Sequence, residues 1–200
     1  MAERHTDLSK ELNGYAYGEV AARFLQQENF HGAKAALENL VSEMGFGKKI
    51  EGLLKGATTN EESIAVASST YAKSYRDARE SAGVEELWAH YDSEGLVDKY
   101  LPKDLKNKAK EELRKFRGFN YGDIARRVRK AREIDKSTTG NFNEEQKKKA
   151  KEELEKYKKI SALFETLEEA YLSKYVNIVN EGLIKKKMEK IFEEKDRKNE

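Results

Sequence analysis

An all-α fold is what this sequence predicts, and three observations carry that reading. Among 200 residues there is a single proline, Pro102. Charged residues make up 38% of the chain, and the strong helix formers Ala, Leu, Glu, Lys and Arg dominate. Two segments also recur. YGEVAAR at 17–23 returns as YGDIARR at 121–127, and AKAALENL at 33–40 returns as AKEELEKY at 150–157. Asn29-Phe30 and Asn141-Phe142 stand between the echoes. One helical-hairpin plan used at both ends of the chain explains them, with Tyr17 and Tyr121 at equivalent helix starts. The expected architecture is an antiparallel helical bundle or short irregular helical solenoid of seven to nine helices, with a long C-terminal helix. One domain over 1–180 is expected, with 181–200 as a charged helical tail. A hydrophobic content of 38% makes two independent cores costly to build.

The elements follow in order. A first helix is expected over 15–28, with Val20, Phe24 and Leu25 on one side. Residues 29–32 make a turn. A second helix over 32–44 sets Ala33, Leu37, Leu40 and Met44 in one stripe, and Gly45 and Gly47 end it. A short helix over 47–55 carries Ile50, Leu53 and Leu54. Thr59 and Glu62 match a capping box for a helix over 60–80, whose inward residues are Ile64, Ala67, Tyr71, Tyr75 and Ala78. Gly83 breaks it, and helices over 84–92 and 93–101 follow. Pro102 suits the first position of a helix over 102–116, with Leu105, Ala109, Leu113 and Phe116 on one face. The helix over 121–135 turns Tyr121, Ile124, Val128 and Ala131 inward and Arg126, Arg129 and Lys130 outward. Residues 136–142 form a loop, and Asn143 with Gln146 caps the last helix. Its seam reads Leu154, Tyr157, Ile160, Phe164, Leu167, Tyr171, Tyr175 and Ile178, and Gly182 kinks or ends it. That seam is long enough either to cross a whole bundle or to meet a second copy of the chain in a homodimer. The tail from 185 keeps Met188, Ile191 and Phe192 as its apolar residues and has little to hold its end.

Composition excludes several classes of function. No cysteine is present, so disulfides, thiol catalysis and zinc–thiolate sites are ruled out. No apolar run reaches the ~18 residues of a membrane span. The N-terminus is charged and lacks a signal-like apolar stretch, so a cytoplasmic location is expected. Charge is uneven along the chain. Residues 1–100 hold 11 Lys/Arg against 17 Asp/Glu, residues 101–136 hold 13 against 6, and residues 137–200 hold 15 against 14.

That basic segment is the strongest functional signal. Arg114, Lys115, Arg117, Arg126, Arg129 and Lys130 are the candidate binding residues, accompanied by Arg127 and Arg132. Guanidinium and ammonium groups neutralise phosphates, and Phe116, Phe119 and Tyr121 offer rings for stacking on unpaired bases. The alternative is a solvated face paired with the acidic N-terminal half, its aromatics belonging to the core. Other chemistry is thin. Of His5, His31 and His90, the last follows Glu86 by one helical turn, but a di-iron bundle needs a Glu-x-x-His pair on each of two helices. Neither a metal site nor catalytic residues nor a cofactor are expected. Gly45-Phe46-Gly47 before Lys48-Lys49 could cradle a phosphate at a helix start, yet it lacks the P-loop spacing and a preceding strand.

Two resemblances add to this. Ala21, Phe24, Phe30, Ala33, Leu37 and Leu40 resemble the packing positions of a tetratricopeptide hairpin. A shift of about 34 residues reaches Ile64, Ala67 and Tyr71, whereas Lys55 and Thr58 depart from the pattern. More of the chain is similar to HEPN domains. AARFLQQENFHGAKAALENLV at 21–41 looks like their opening hairpin, and ELRKFRGFNYGD at 112–123 looks like their later Leu-x-x-x-Arg…Tyr-Gly stretch. The resemblance implies a helical bundle that often dimerises and, in many members, ribonuclease activity carried by an Arg followed four to six residues later by His. Here Arg79 precedes His90 by eleven residues and Arg4 abuts His5, so the catalytic pair is missing. The function expected is a non-enzymatic helical interaction module that binds a protein, RNA or DNA partner through the basic face. The alternative is a HEPN-like ribonuclease or nucleotide-binding protein with an atypical active site.

Overall fold

The computed structural model describes residues 2–44, 61–138, 140–176 and 180–193, with side chains described from residue 7 onward. Among these residues the fold is all-α. The helices are α1 (Ala2–Gln26), α2 (Phe30–Met44), α3 (Glu61–Ser81), α4 (Val84–Ser93), α5 (Leu96–Tyr100), α6 (Lys103–Lys115), α7 (Tyr121–Lys136), α8 (Glu144–Leu172) and α9 (Glu181–Glu193). They fall into two compact units, Met1–Arg79 and Glu80–Glu200. The expected helix over 47–55, its flanking glycines, Thr59 and the Gly45–Lys49 stretch lie outside the described residues.

In the first unit, α1 and α2 pair as a hairpin. Asn29 accepts the Gly32 N–H through its side chain at 2.8 Å, capping α2. Helix α1 starts far earlier than the expected residue 15. Leu12, Ala16 and Val20 lie one turn apart and are all buried, so the apolar stripe continues through what the charged N-terminal sequence concealed. They meet Ala33, Ala36, Leu37 and Leu40 of α2 and Ile64, Ala67, Ala72 and Tyr75 of α3 in the core of this unit. The inward stripe of α3 is rotated from the expected one: Ser68 and Ala72 are buried, while Tyr71 and Ala78 are half-buried. Glu19 is buried too, held by Arg23 at 3.5 Å and by Arg76 of α3 at 3.2 Å.

The second unit is built on α8. Nine of the thirteen residues at 160–172 are buried over one broad face, with exposed Glu165 and half-buried Ala162 and Glu169 on the remaining side, whereas Ala150 and Tyr157 are the buried residues before that stretch. Helices α4, α5, α6, α7 and α9 all pack against it. Rings run through this core. Tyr121 meets Phe164 at 5.3 Å, Phe164 meets Tyr91 at 6.2 Å, and Tyr91 meets Tyr171 at 6.0 Å. The long C-terminal helix ends at Leu172, before the expected point, and its seam from Tyr157 to Tyr171 is covered within the chain. Gly182 does not end it, but sits inside α9. That helix, within the expected tail, buries Ile184, Met188 and Phe192. It is tied to α8 by Lys187–Glu169 at 2.8 Å and to α5 by Lys99–Glu181. The Lys99 hydrogen bond holds the Glu181 carboxyl below its ordinary value. Pro102 stands one residue before α6 rather than within it, its carbonyl accepting the Lys106 N–H at 2.8 Å.

Where the repeat expected equivalent tyrosines, the structure separates them. Tyr121 opens α7 and is buried, while Tyr17 lies deep within α1 and is half-buried. The glycines are the shared feature. A Cβ on Gly18 would stand 2.6 Å from the Tyr71 carbonyl carbon, and one on Gly122 would stand 3.0 Å from the Glu80 Cβ and closer still to its carbonyl oxygen. Each glycine lets a helix touch another backbone. In the second unit this approach is fixed by a two-bond clasp: Tyr121 N–H donates to the Ala82 carbonyl and Val84 N–H to the Phe119 carbonyl, each at 2.9 Å.

Two stability predictions follow from this packing. Gly122 and Gly182 each occupy the second position of a helix. Alanine at 182 should be neutral or stabilising by up to ~1 kcal/mol. Alanine at 122 should lower the unfolding free energy by ~1–3 kcal/mol, since overpacking against backbone outweighs helix propensity. Urea titration of the two variants checks the sign. Phe164→Ala, at a fully buried position, should cost ~3–5 kcal/mol by the same measurement.

Candidate site for an acidic partner

The sequence placed six basic residues in one candidate face, and the structure distributes them over three places. Arg114 and Lys115 end α6, and Arg117 lies in the turn beyond it. Arg129 leaves α7 toward the end of α3, where it bonds Glu80 at 3.0 Å. Arg126 and Lys130 turn to the side of α7 that meets α8. One turn of helix separates these two, while Arg129 lies about 60° or more away from either at 100° per residue.

Carboxylates hold most of these cations. Lys115 pairs with Glu112 at 2.8 Å, Arg117 with Glu85 at 3.6 Å, and Arg126 with Asp123 at 2.7 Å. Glu80 and Glu85 belong to the acidic first hundred residues, so part of the basic segment is neutralised by that excess, and the partners lie within the second unit. Arg114 and Lys130 are exposed and make no ion pair among the described residues.

The aromatic half of the expectation is corrected. Phe116 and Tyr121 are buried, Phe116 packing on Tyr157 at 5.5 Å and on half-buried Phe119 at 5.8 Å. Apolar burial next to Tyr157 and Phe164 is worth more to those rings than solvent exposure, and none of them forms an open stacking platform.

What the structure adds is a groove of about 510 Å³ between α7 and α8. Arg126, Arg127 and Lys130 of α7 and Lys149 of α8 rim it, together with Glu153. Arg127 reaches Glu153 at 3.9 Å, and Lys149 holds Glu145 at 2.7 Å. Ala131, Ile134 and Ala150 make its floor. Lys149 escaped the sequence reading because residues 137–200 are nearly neutral as a block. The echo of AKAALENL at 150–157 pointed to the right hairpin without naming that residue. The hairpin is held by the Asn143 cap, in which Asn143 and Gln146 exchange backbone-to-side-chain bonds of 2.8 Å each.

The histidines are placed elsewhere. His31 is the exposed second residue of α2. His90 is fully buried, with Tyr171 at 5.0 Å and Tyr91 at 5.4 Å from its ring. Glu86, one turn before it, caps α4 by accepting the Gly83 N–H at 3.2 Å. The described residues hold no cluster of three or more metal-ligating side chains, and no described helix is long and apolar enough to cross a membrane. No family model, curated protein or solved structure matches this chain, so the likeness to HEPN and tetratricopeptide helices rests on the quoted residues alone.

The dispersal of the six residues has a testable consequence. Arg129→Glu places two carboxylates together at Glu80. It should destabilise the second unit by no more than ~1 kcal/mol, the range of an exposed pair, while leaving binding at the groove intact. Parallel urea unfolding and heparin chromatography check both halves.

Proposed function

We propose that this chain is a helical interaction module whose basic face on the α7–α8 hairpin binds an acidic macromolecular partner. The observation that supports this reading is the convergence of Arg126, Arg127, Lys130 and Lys149 on one open groove. Lys130 stands there without an ion pair among the described residues. Side chains from two helices, one turn apart and fixed by a capped hairpin, present several donors at once, which an isolated surface lysine does not. The core beneath them is complete without them, and the exposed pairs of Arg126, Arg127 and Lys149 contribute little stability, so a partner's anions exchange with them at small cost. The ribonuclease alternative has no comparable support: the His90 ring is fully buried against Tyr91 and Tyr171.

Salt-dependent retention tests the reading. The protein should bind heparin near physiological ionic strength, with affinity falling steeply as salt rises, because each neutralised anionic group releases condensed counterion. The double variant Arg126→Glu/Lys130→Glu should lose about tenfold or more in affinity with an unchanged circular dichroism spectrum. A wild type that passes heparin unretained at low salt refutes the basic-face reading.

A further inference from the structure

The groove between α7 and α8 is more selective than a basic patch, and we infer that its occupant is an acidic amphipathic helix contributed by a partner protein. The inference rests on the basic-face reading above and adds the class of partner.

The floor comes first. Ala131 and Ala150 are each 4% exposed and Ile134 is half-buried. With both alanines buried, the apolar surface left in the trough is that of Ile134 and of the aliphatic stems of Arg126, Arg127, Lys130 and Lys149. A sugar–phosphate backbone has nothing to place on such a floor, whereas the aliphatic stripe of a helix does. The trough also lies where α8 is least covered. Between residues 144 and 156, Ala150 is its one buried residue. A docked helix would turn this two-helix layer into a three-helix one.

The rim separates the partner classes. Three of its cations each have a carboxylate beside them, Asp123 by Arg126, Glu153 by Arg127 and Glu145 by Lys149, of which Glu153 lines the groove itself. A nucleic acid carries one negative charge on every nucleotide and would press phosphates against those carboxylates as well as against the cations. A helix spaces its carboxylates at i, i+3 and i+4, so it can reach Lys130 and the arginines while leaving uncharged or basic residues opposite Asp123, Glu145 and Glu153. Stacking does not compensate for a nucleic acid, because Phe116 and Tyr121 are buried in the core.

The test is fluorescence anisotropy on the full chain with three labelled probes. The first is a synthetic peptide of roughly 18 residues, about five turns, with Leu along one face and Glu on its flanks. The second is a scramble of the same composition and charge, without the Leu stripe. The third is single-stranded oligouridylate of similar length. The amphipathic peptide should bind at least about tenfold more tightly than either other probe. Arg126→Glu/Lys130→Glu/Lys149→Glu should lose that binding about tenfold or more while retaining its circular dichroism spectrum. Should the triple variant unfold, Lys130→Glu alone serves, since Lys130 makes no ion pair among the described residues that its loss would break. Equal binding of peptide and scramble overturns the apolar floor. Tighter binding of oligouridylate, lost in the same variant, overturns the protein-partner inference and leaves the basic-face reading standing. Peptide binding that the charge reversals do not alter overturns the location. Failure of all three probes together with failure of heparin retention overturns both readings at once.

Discussion

Burial of a broad face of the second half of α8 is the constraint from which the second unit follows. A five-residue helix such as α5 or a ten-residue helix such as α4 has no stability of its own, since nucleation costs more than a few hydrogen bonds return. These helices exist because Leu163, Phe164, Leu167, Ala170 and Tyr171 give Leu87, Tyr91, Leu96 and Val97 an apolar surface to cover. The rings contribute geometry as well as area. Their tilted and edge-on arrangement, from Tyr121 through Phe164 and Tyr91 to Tyr171, ties α7, α8 and α4 into one set of contacts. The apolar seam from Tyr157 to Tyr171 is covered inside the chain.

Backbone approach then fixes where α7 sits. The first N–H groups of a helix have no partner within it. Tyr121 satisfies its own by donating to Ala82, and Gly122 lets the helix come close enough to Glu80 for this to happen. The register of the whole helix is set from that end. Ile124, Val128 and Ala131 turn toward the core, Arg129 toward Glu80, and Arg126 and Lys130 toward α8. The orientation of the candidate site is thus a consequence of a clasp about one to three turns before it.

Charge in this protein is sorted by pairing more than by sequence. Residues 101–136 carry a large basic excess, yet Asp123, Glu80, Glu85 and Glu112 answer much of it locally. Exposed pairs of this kind contribute little stability, but they shape the potential a partner meets. What stands out against that neutralised background is the groove, where cations from two helices converge over an apolar floor.

The sequence by itself determined the helical class, the Asn143 cap and the inward faces of several helices. Composition excluded most alternatives, Asn143 with Gln146 was readable as a capping box, and the 3.6-residue period placed Tyr121, Ile124, Val128 and Ala131 in the core without error. These are local properties, set within a turn or two of chain. Tertiary structure decided what depends on neighbours distant in sequence. The charged N-terminal stretch became helical because Leu12, Ala16 and Val20 found α2 and α3 to cover them. The long helix stopped at Leu172 and α9 folded back because Ile184 and Met188 could be buried. The six basic residues parted because the direction of each depends on the carboxylate or helix it meets: Arg129 on Glu80, Arg126 and Lys130 on the trough that Lys149 completes. Periodicity says which side of a helix faces outward; it carries no information about what stands opposite, and the candidate site is made of those opposing groups.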